Sequence, residues 1–235
     1  MKNQKTNFDK IKKAAIESLK KPGSAKKPLP KKESDKYSTL YVFRHTETND
    51  NFNRVFSGRR NSRLTPKGIR QAKELAKLLK DKKIDIAIFS DIAKGKSDRA
   101  ERTLEEVLKY HPETKKEAAK FLVERDYGTL TGTSKLKLSK KNPELCLKYR
   151  RSWDYPPPNG ESLQMVWKNR LQKFCQDLEK KMRREKINIA ISCTNNTMRL
   201  IRMYFEGLSI EETLIIENPF SDYAAYAVKP FQKKT

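Results

Sequence analysis

The sequence predicts an α/β protein: a three-layer sandwich with a mostly parallel sheet, preceded by a basic N-terminal arm. Three observations predict it. From Ser38 onward, short apolar runs alternate with longer segments of helical periodicity. Those runs are apolar at successive positions rather than alternate ones, as in strands covered on both faces. Residues 1–36 differ from the rest, with 12 lysines against 4 acidic residues. A chain of 235 residues suffices for one sizeable core plus an appendage. The division is therefore a lysine-rich arm and linker at 1–36 and one domain at 37–235.

In the arm, Phe8, Ile11, Ala15 and Leu19 recur at helical spacing in "NFDKIKKAAIESLKK", with Asn7 as N-cap and Pro22-Gly23 as the stop. A short amphipathic helix is expected there, and "KKPGSAKKPLPKKESDK" reads as a linker. "TLYVF" is the first buried strand. In "PKGIRQAKELAKLLKDKK" the residues Ile69, Ala72, Leu75, Ala76 and Leu79 share one face, Thr65 caps, and Pro66 takes the first helical position. "IDIAIFS" follows as a strand, "SDRAERTLEEVLKY" as a helix and "AAKFLVERD" as a shorter third strand. A long helix starts near Glu161 and carries Leu163, Val166, Trp167, Leu171, Phe174 and Leu178. "INIAISC" is the fourth strand, "NTMRLIRMYFEGL" the next helix, and "YAAYAVK" an edge strand.

With 53 Lys and Arg against 29 Asp and Glu, the net charge of +24 favours anionic partners: phosphorylated metabolites, nucleic acid or an anionic membrane surface. Cys146, Cys175 and Cys193 are widely spaced and form no C-x-x-C pair, which argues against a zinc site and for a reduced, cytoplasmic compartment. No apolar stretch approaches the roughly 20 residues that span a bilayer, and no signal-peptide core is evident. The arm reads as a solvated tail with transient helicity, and contact with nucleic acid, lipid headgroups or a partner is the alternative. Its only aromatic residues near the basic ones are Phe8 and Tyr37, too few for a base-stacking platform.

In parallel sheets ligands collect at the carboxyl ends of the strands. Here the first strand ends in Arg44-His45, the second leads to Arg99, the third ends in Glu124-Arg125, and the fourth in Thr194-Asn195-Asn196. Phosphoryl transfer through histidine needs such a set: guanidiniums for the phosphate oxygens, an imidazole nucleophile, and a carboxyl for the leaving-group proton.

The wider pattern narrows this. "RHTET", Asn51, "FSG" at 56–58, "LTPKGIRQA" at 64–72, "ERDYGTLTG" at 124–132 and "NGES" at 159–162 together resemble the histidine phosphatase superfamily, nearest its cofactor-dependent phosphoglycerate mutase branch. The resemblance covers residues 38–230. It implies His45 as nucleophile, Glu124 as general acid and base, Arg44 and Arg99 as phosphate-holding arginines, and Asn51, Ser57 and Gly58 as phosphate and substrate contacts. Tyr127, Lys135 and the pair Arg150-Arg151 match the clamp that the branch uses for a small, doubly anionic ligand. Thr194, Asn195 and Asn196 complete the expected binding residues. No metal is implied, and 2,3-bisphosphoglycerate is the implied priming phosphate donor.

Three departures stand out. The family's second histidine, which stabilises the transferring phosphoryl group, is replaced by Thr194, and Asn195 stands where the following glycine belongs. A threonine donates one neutral hydrogen bond and no charge, so slowed chemistry is expected. Thr46 replaces the glycine of the usual R-H-G, a strained choice if that backbone is left-handed. "AKGKS" at 93–97 lengthens the loop before Arg99, leaving Arg102 as its substitute. His111, the only other histidine, belongs to a connection and is expected at the surface.

The resemblance thus implies a phosphatase or mutase acting on a small phosphorylated metabolite through a phosphohistidine on His45, with reduced activity. The alternative is a pseudoenzyme that binds such a ligand without turnover. A third reading makes the arm the functional part, anchoring a scaffold domain to nucleic acid or membrane.

Overall fold

A computed structural model describes residues 2–24, 28–91 and 99–231 of the chain. Its elements run α1 (Lys2–Lys20), β1 (Lys31–Lys32), β2 (Ser38–Arg44), α2 (Asn49–Phe52), α3 (Pro66–Leu79), β3 (Ile86–Ser90), α4 (Arg99–Leu108) and β4 (Lys115–Ala119). Then come α5 (Lys135–Lys141), α6 (Pro143–Arg151), α7 (Leu163–Val166), α8 (Gln172–Glu185), β5 (Ile189–Cys193), α9 (Asn195–Glu206), α10 (Ile210–Ile215) and β6 (Tyr223–Val228). The strands form one sheet in the order β1-β6-β2-β5-β3-β4. β2, β5, β3 and β4 run parallel, and β6 lies antiparallel to β2.

Every residue of β2 and β5 is buried, because helices cover both faces of these central strands. On one face Leu40, Val42, Ile189 and Ile191 pack with Leu163, Leu171, Leu178, Met198 and Ile201. On the other, Tyr41, Phe43, Ala87 and Phe89 pack with Leu75, Leu79, Leu104 and Val107. Each fully buried aliphatic or phenyl side chain contributes about 1.5–3 kcal/mol. The three cysteines are free and buried. Among the described residues no helix is long and apolar enough to cross a membrane.

Several elements differ from the sequence reading. The strand expected over "AAKFLVERD" ends at Ala119, and a single 3₁₀ turn over Lys120–Leu122 replaces its second half. Glu124 therefore sits on a loop. "YAAYAVK" is not an edge strand: β1, inside the expected linker, pairs parallel with β6, and Leu29 just before it is buried in the core. Ile69 is 43% exposed, and Gly68 takes its place on the buried face of α3. A side chain at position 68 would meet the Glu47 carbonyl at 2.0 Å, so only glycine lets α3 approach that closely. The long helix is α7 and α8 joined through a π-helical turn over Trp167–Leu171. The insertion at 93–97 lies outside the described residues.

Candidate active site

β2 and β5 lie side by side at the centre of the sheet, with Arg44 opposite Cys193, and the His45 amide extends the ladder by donating to the Cys193 carbonyl at 2.9 Å. His45 is 3% exposed. Its Nδ1 lies 2.8 Å from the Thr46 carbonyl, which only accepts, so Nδ1 carries the proton and Nε2 the lone pair. Arg99, the first residue of α4, donates Nε to that Nε2 at 3.0 Å, and its remaining nitrogens donate to the carbonyls of Gly58 (3.0 Å) and Arg60 (2.8 Å). Burial first, then the charges of Arg99 and Arg44, hold the imidazole pKa well below its usual value. His45 is therefore neutral around pH 7.

The backbone around His45 is unstrained. Thr46 is not among the described residues with positive φ, so the feared strain of replacing glycine does not arise; its amide donates to Thr103 Oγ1 at 3.1 Å instead. Gly58 does need its freedom, with φ +50°. Thr48 caps α2 in a reciprocal capping box with Asn51. Asn51 Oδ1 accepts from Thr48 Oγ1 at 3.1 Å, and Asn51 lines the pocket.

Glu124 is held by acceptance alone: Oε1 takes the Arg125 amide at 2.7 Å and Asn196 Nδ2 at 2.9 Å. Asn196 Nδ2 also reaches the Tyr127 hydroxyl at 3.2 Å, tying α9 to the loop. The π-helical turn contributes here too. It aims Arg170, which donates to the Val123 carbonyl at 2.6 Å, next to Glu124.

Opposite, α5 and α6 deliver Lys135, Arg150 and Arg151 to the same pocket as Arg44, His45 and Glu124. Burial, then Arg150 and Arg44, lowers Lys135 to about 7. Arg151 is bonded to Glu217 and to the Leu214 carbonyl (2.8 Å), and Arg199 pairs with Glu217 at 2.7 Å. Burial pushes the Glu217 carboxyl up, but Arg199, Arg151 and Arg44 more than offset this and bring it down to about 2. Burial lowers Arg44 to about 10 and Arg199 to about 9, so both stay charged at neutral pH. Arg44 stacks on Phe220 at 4.3 Å, and its buried Nε has no hydrogen-bond partner among the described residues. Seven cationic side chains face two carboxylates in this pocket, which makes it an anion site.

Of the sequence-predicted residues, Arg44, His45, Asn51, Ser57, Gly58, Arg99, Glu124, Tyr127, Lys135, Arg150, Arg151, Asn195 and Asn196 all line this one pocket. Thr194 does not. It is fully buried at the N-cap of α9 and donates its hydroxyl to Thr197 Oγ1 at 3.0 Å, so it is corrected from a ligand contact to a packing residue. Arg102 points outward to Glu105 and offers no substitute for Arg99. His111 bonds the Leu79 carbonyl at 3.0 Å, closing the end of α3.

The reading of the sequence missed Arg54, Arg199, Glu217 and the arm residues Ser18, Leu19, Pro22 and Gly23, which also line the pocket. Arg199 had one signal, its place four residues after Asn195 on the same face of α9. The others had none.

A family model described as histidine phosphatase superfamily (branch 1) matches residues 40–228. The chain belongs to the histidine phosphatase superfamily. Among superfamily relatives, a 2,3-bisphosphoglycerate-dependent phosphoglycerate mutase of Nitrobacter hamburgensis is 34% identical over 180 residues, covering 74% of this chain and 84% of that protein. A 2,3-bisphosphoglycerate-dependent phosphoglycerate mutase of Arabidopsis thaliana is 28% identical, covering 92% and 73%. The fold matches the mycobacterial glucosyl-3-phosphoglycerate phosphatase in complex with VO3, with a TM-score of 0.69, 16% identity and coverage of 80% and 92%. It also matches the α-ribazole phosphatase of Shigella flexneri, with a TM-score of 0.66, 21% identity and coverage of 83% and 100%.

Proposed function

We propose that this histidine phosphatase superfamily protein transfers a phosphoryl group of a small phosphorylated metabolite through His45, as a phosphatase or a mutase. The observation that carries the reading is the pairing of Arg99 Nε with the unprotonated Nε2 of a buried, neutral His45. Arg44 and Arg99 hold the phosphate oxygens, and the Nε2 lone pair attacks phosphorus. The N–P bond forms as the ester P–O bond breaks, and Glu124 in its acid form protonates the departing oxygen. Glu124, now a carboxylate, takes the proton of water or of a second hydroxyl, which attacks phosphorus and releases His45. The two acceptors distinguish phosphatase from mutase.

The 2,3-bisphosphoglycerate dependence named for the relatives suggests a primer of that kind, and the cationic donor set fits a polyanion. Arg44, Arg99 and Lys135 are the residues that would hold it. Such a primer supplies the first phosphoryl group.

Turnover is slow in this reading. Thr194 supplies no charge, and losing one preorganised donor at developing charge costs about 100- to 1000-fold in rate. A second reading, ligand binding without turnover, is favoured by one observation: the Thr194 hydroxyl is committed to Thr197 and not to the pocket.

Incubation with labelled 2,3-bisphosphoglycerate tests the two. Acid-labile, base-stable phosphate on His45, absent in His45→Asn, supports phosphoryl transfer. Ligand binding without such labelling supports the second reading.

A further inference from the structure

The last turns of α1 sit at the mouth of the pocket just described. The helix is seated by its apolar face: Ala15 is 2% exposed, and Ile11 packs against the core. Ser18 Oγ donates to the Ala15 carbonyl at 3.0 Å, which leaves its lone pairs for two guanidiniums. Arg150 reaches it at 2.9 Å and Arg151 at 2.8 Å. Arg150 also donates to the Ala15 carbonyl at 3.0 Å. One turn on, Arg54 donates to the carbonyls of Leu19 at 3.2 Å and Lys20 at 2.9 Å.

A helix ends in carbonyls without intrahelical partners and in the negative pole of its dipole. The arm, for all its lysines, thus presents to Arg54, Arg150 and Arg151 what a weak anion would. The inner half of the pocket is untouched: no bond from α1 reaches His45, Arg99 or Glu124 among those described for these side chains. The site is divided into an inner half for a phosphoryl group and an outer half filled by the chain's own helix.

We infer that α1 selects the substrate of this site. Docked, it admits a phosphoryl group on a small alcohol but denies Arg54 and Arg150 to a second anionic group; displaced, it hands those two arginines to a doubly anionic ligand such as a phosphorylated hydroxy acid, while Arg151 keeps its bond to Glu217. The inference rests on the phosphoryl-transfer reading above. It makes Ser18 a specificity-determining residue, since its hydroxyl stands between the two guanidiniums.

The test uses the full chain with two probes, inorganic phosphate and 3-phosphoglycerate. Saturating 3-phosphoglycerate should speed backbone amide exchange across residues 8–20 at least fivefold, whereas inorganic phosphate should leave it unchanged. In Ala15→Lys, which puts a charge into the buried contact of the helix, and separately in Ile11→Lys, which removes its packing against the core, 3-phosphoglycerate should bind at least tenfold tighter. Inorganic phosphate should bind both variants within twofold of the unmodified chain. If phosphate binds but 3-phosphoglycerate leaves the exchange of α1 unaltered, and neither variant favours it, the inference is overturned while the phosphoryl-transfer reading stands. If neither probe binds any of the chains, both are overturned. The exchange experiment needs no substitution, so it decides even if a variant misfolds.

Discussion

Arg99 Nε donates to His45 Nε2 at 3.0 Å, which sets a guanidinium on the ring nitrogen that would attack phosphorus in the proposed reaction. The contact orients the ring, keeps its lone pair unprotonated, and must give way as an electrophile arrives. In the proposed reading Arg99 both guards the nucleophile and holds the phosphate that His45 attacks. Removing it, as Arg99→Met, should raise the His45 pKa towards its ordinary value of about 6.5 without reaching it, because burial remains. The rate of His45 phosphorylation should fall about 100- to 1000-fold. Proton NMR of the ring across pH, with single-turnover labelling, reads both effects.

Thr194→His should act in the opposite direction. It puts a donor able to carry charge at the N-cap of α9, next to Cys193 whose carbonyl accepts the His45 amide, and in the proposed reading turnover should rise roughly 100-fold. The hydroxyl bond to Thr197 is lost and a larger side chain enters a fully buried position, so about 1–3 kcal/mol of stability should go with it. Steady-state rates and denaturant midpoints measured together distinguish a faster enzyme from a merely disturbed one. An unchanged rate in a folded variant would show that the residue at position 194 does not limit the reaction.

Lys135, lowered to about 7 by burial and by Arg150 and Arg44, makes anion affinity depend on pH. Its ammonium is present below that value and lost above it. Sulfate, which does not itself titrate in this range, should bind progressively more weakly from pH 6 to pH 8, below the range where Arg199 titrates. In Lys135→Met the affinity should be lower at pH 6 and nearly flat. Calorimetric titration of sulfate at several pH values checks the slope.

Glu217 couples the site to stability in acid. Its folded pKa of about 2 lies below its ordinary value of 4.5, so the folded carboxyl binds fewer protons than the unfolded one across that interval. The stabilisation it brings is full above about pH 4.5 and is lost as pH falls towards 2. Glu217→Gln should flatten this acid-side loss. Leaving Arg151 and Arg199 without their carboxylate should also cost about 3–5 kcal/mol at neutral pH. Denaturant unfolding between pH 3 and pH 7 measures both.

The fold and the inner site were legible in the sequence for physical reasons. Strands β2 and β5 are buried on both faces and so appear as unbroken apolar runs, and Thr65-Pro66 announces α3 by its capping chemistry. His45 and Glu124 belong to short segments just beyond strands β2 and β4, and both line the one pocket. The failures came from relations between distant segments. That Thr194 turns to Thr197 is a matter of side-chain direction at a helix start, which spacing does not encode. That Lys31 and Lys32 join the sheet contradicts their composition, because pairing with β6 asks only for backbone. Glu217, on the connection after α10, meets Arg151 and Arg199 only in the folded chain.

The two-residue strand β1 has a kinetic consequence. Leu29 is buried, the Pro30 carbonyl accepts the Ala225 amide at 2.8 Å, and Lys31–Lys32 are held on β6, so the chain is anchored nine residues beyond the end of α1. A helix that leaves the pocket mouth on so short a tether stays at an effective concentration on the order of millimolar. Its return is a unimolecular event, independent of how much protein the solution contains, and a soluble ligand must outcompete a neighbour that never diffuses away.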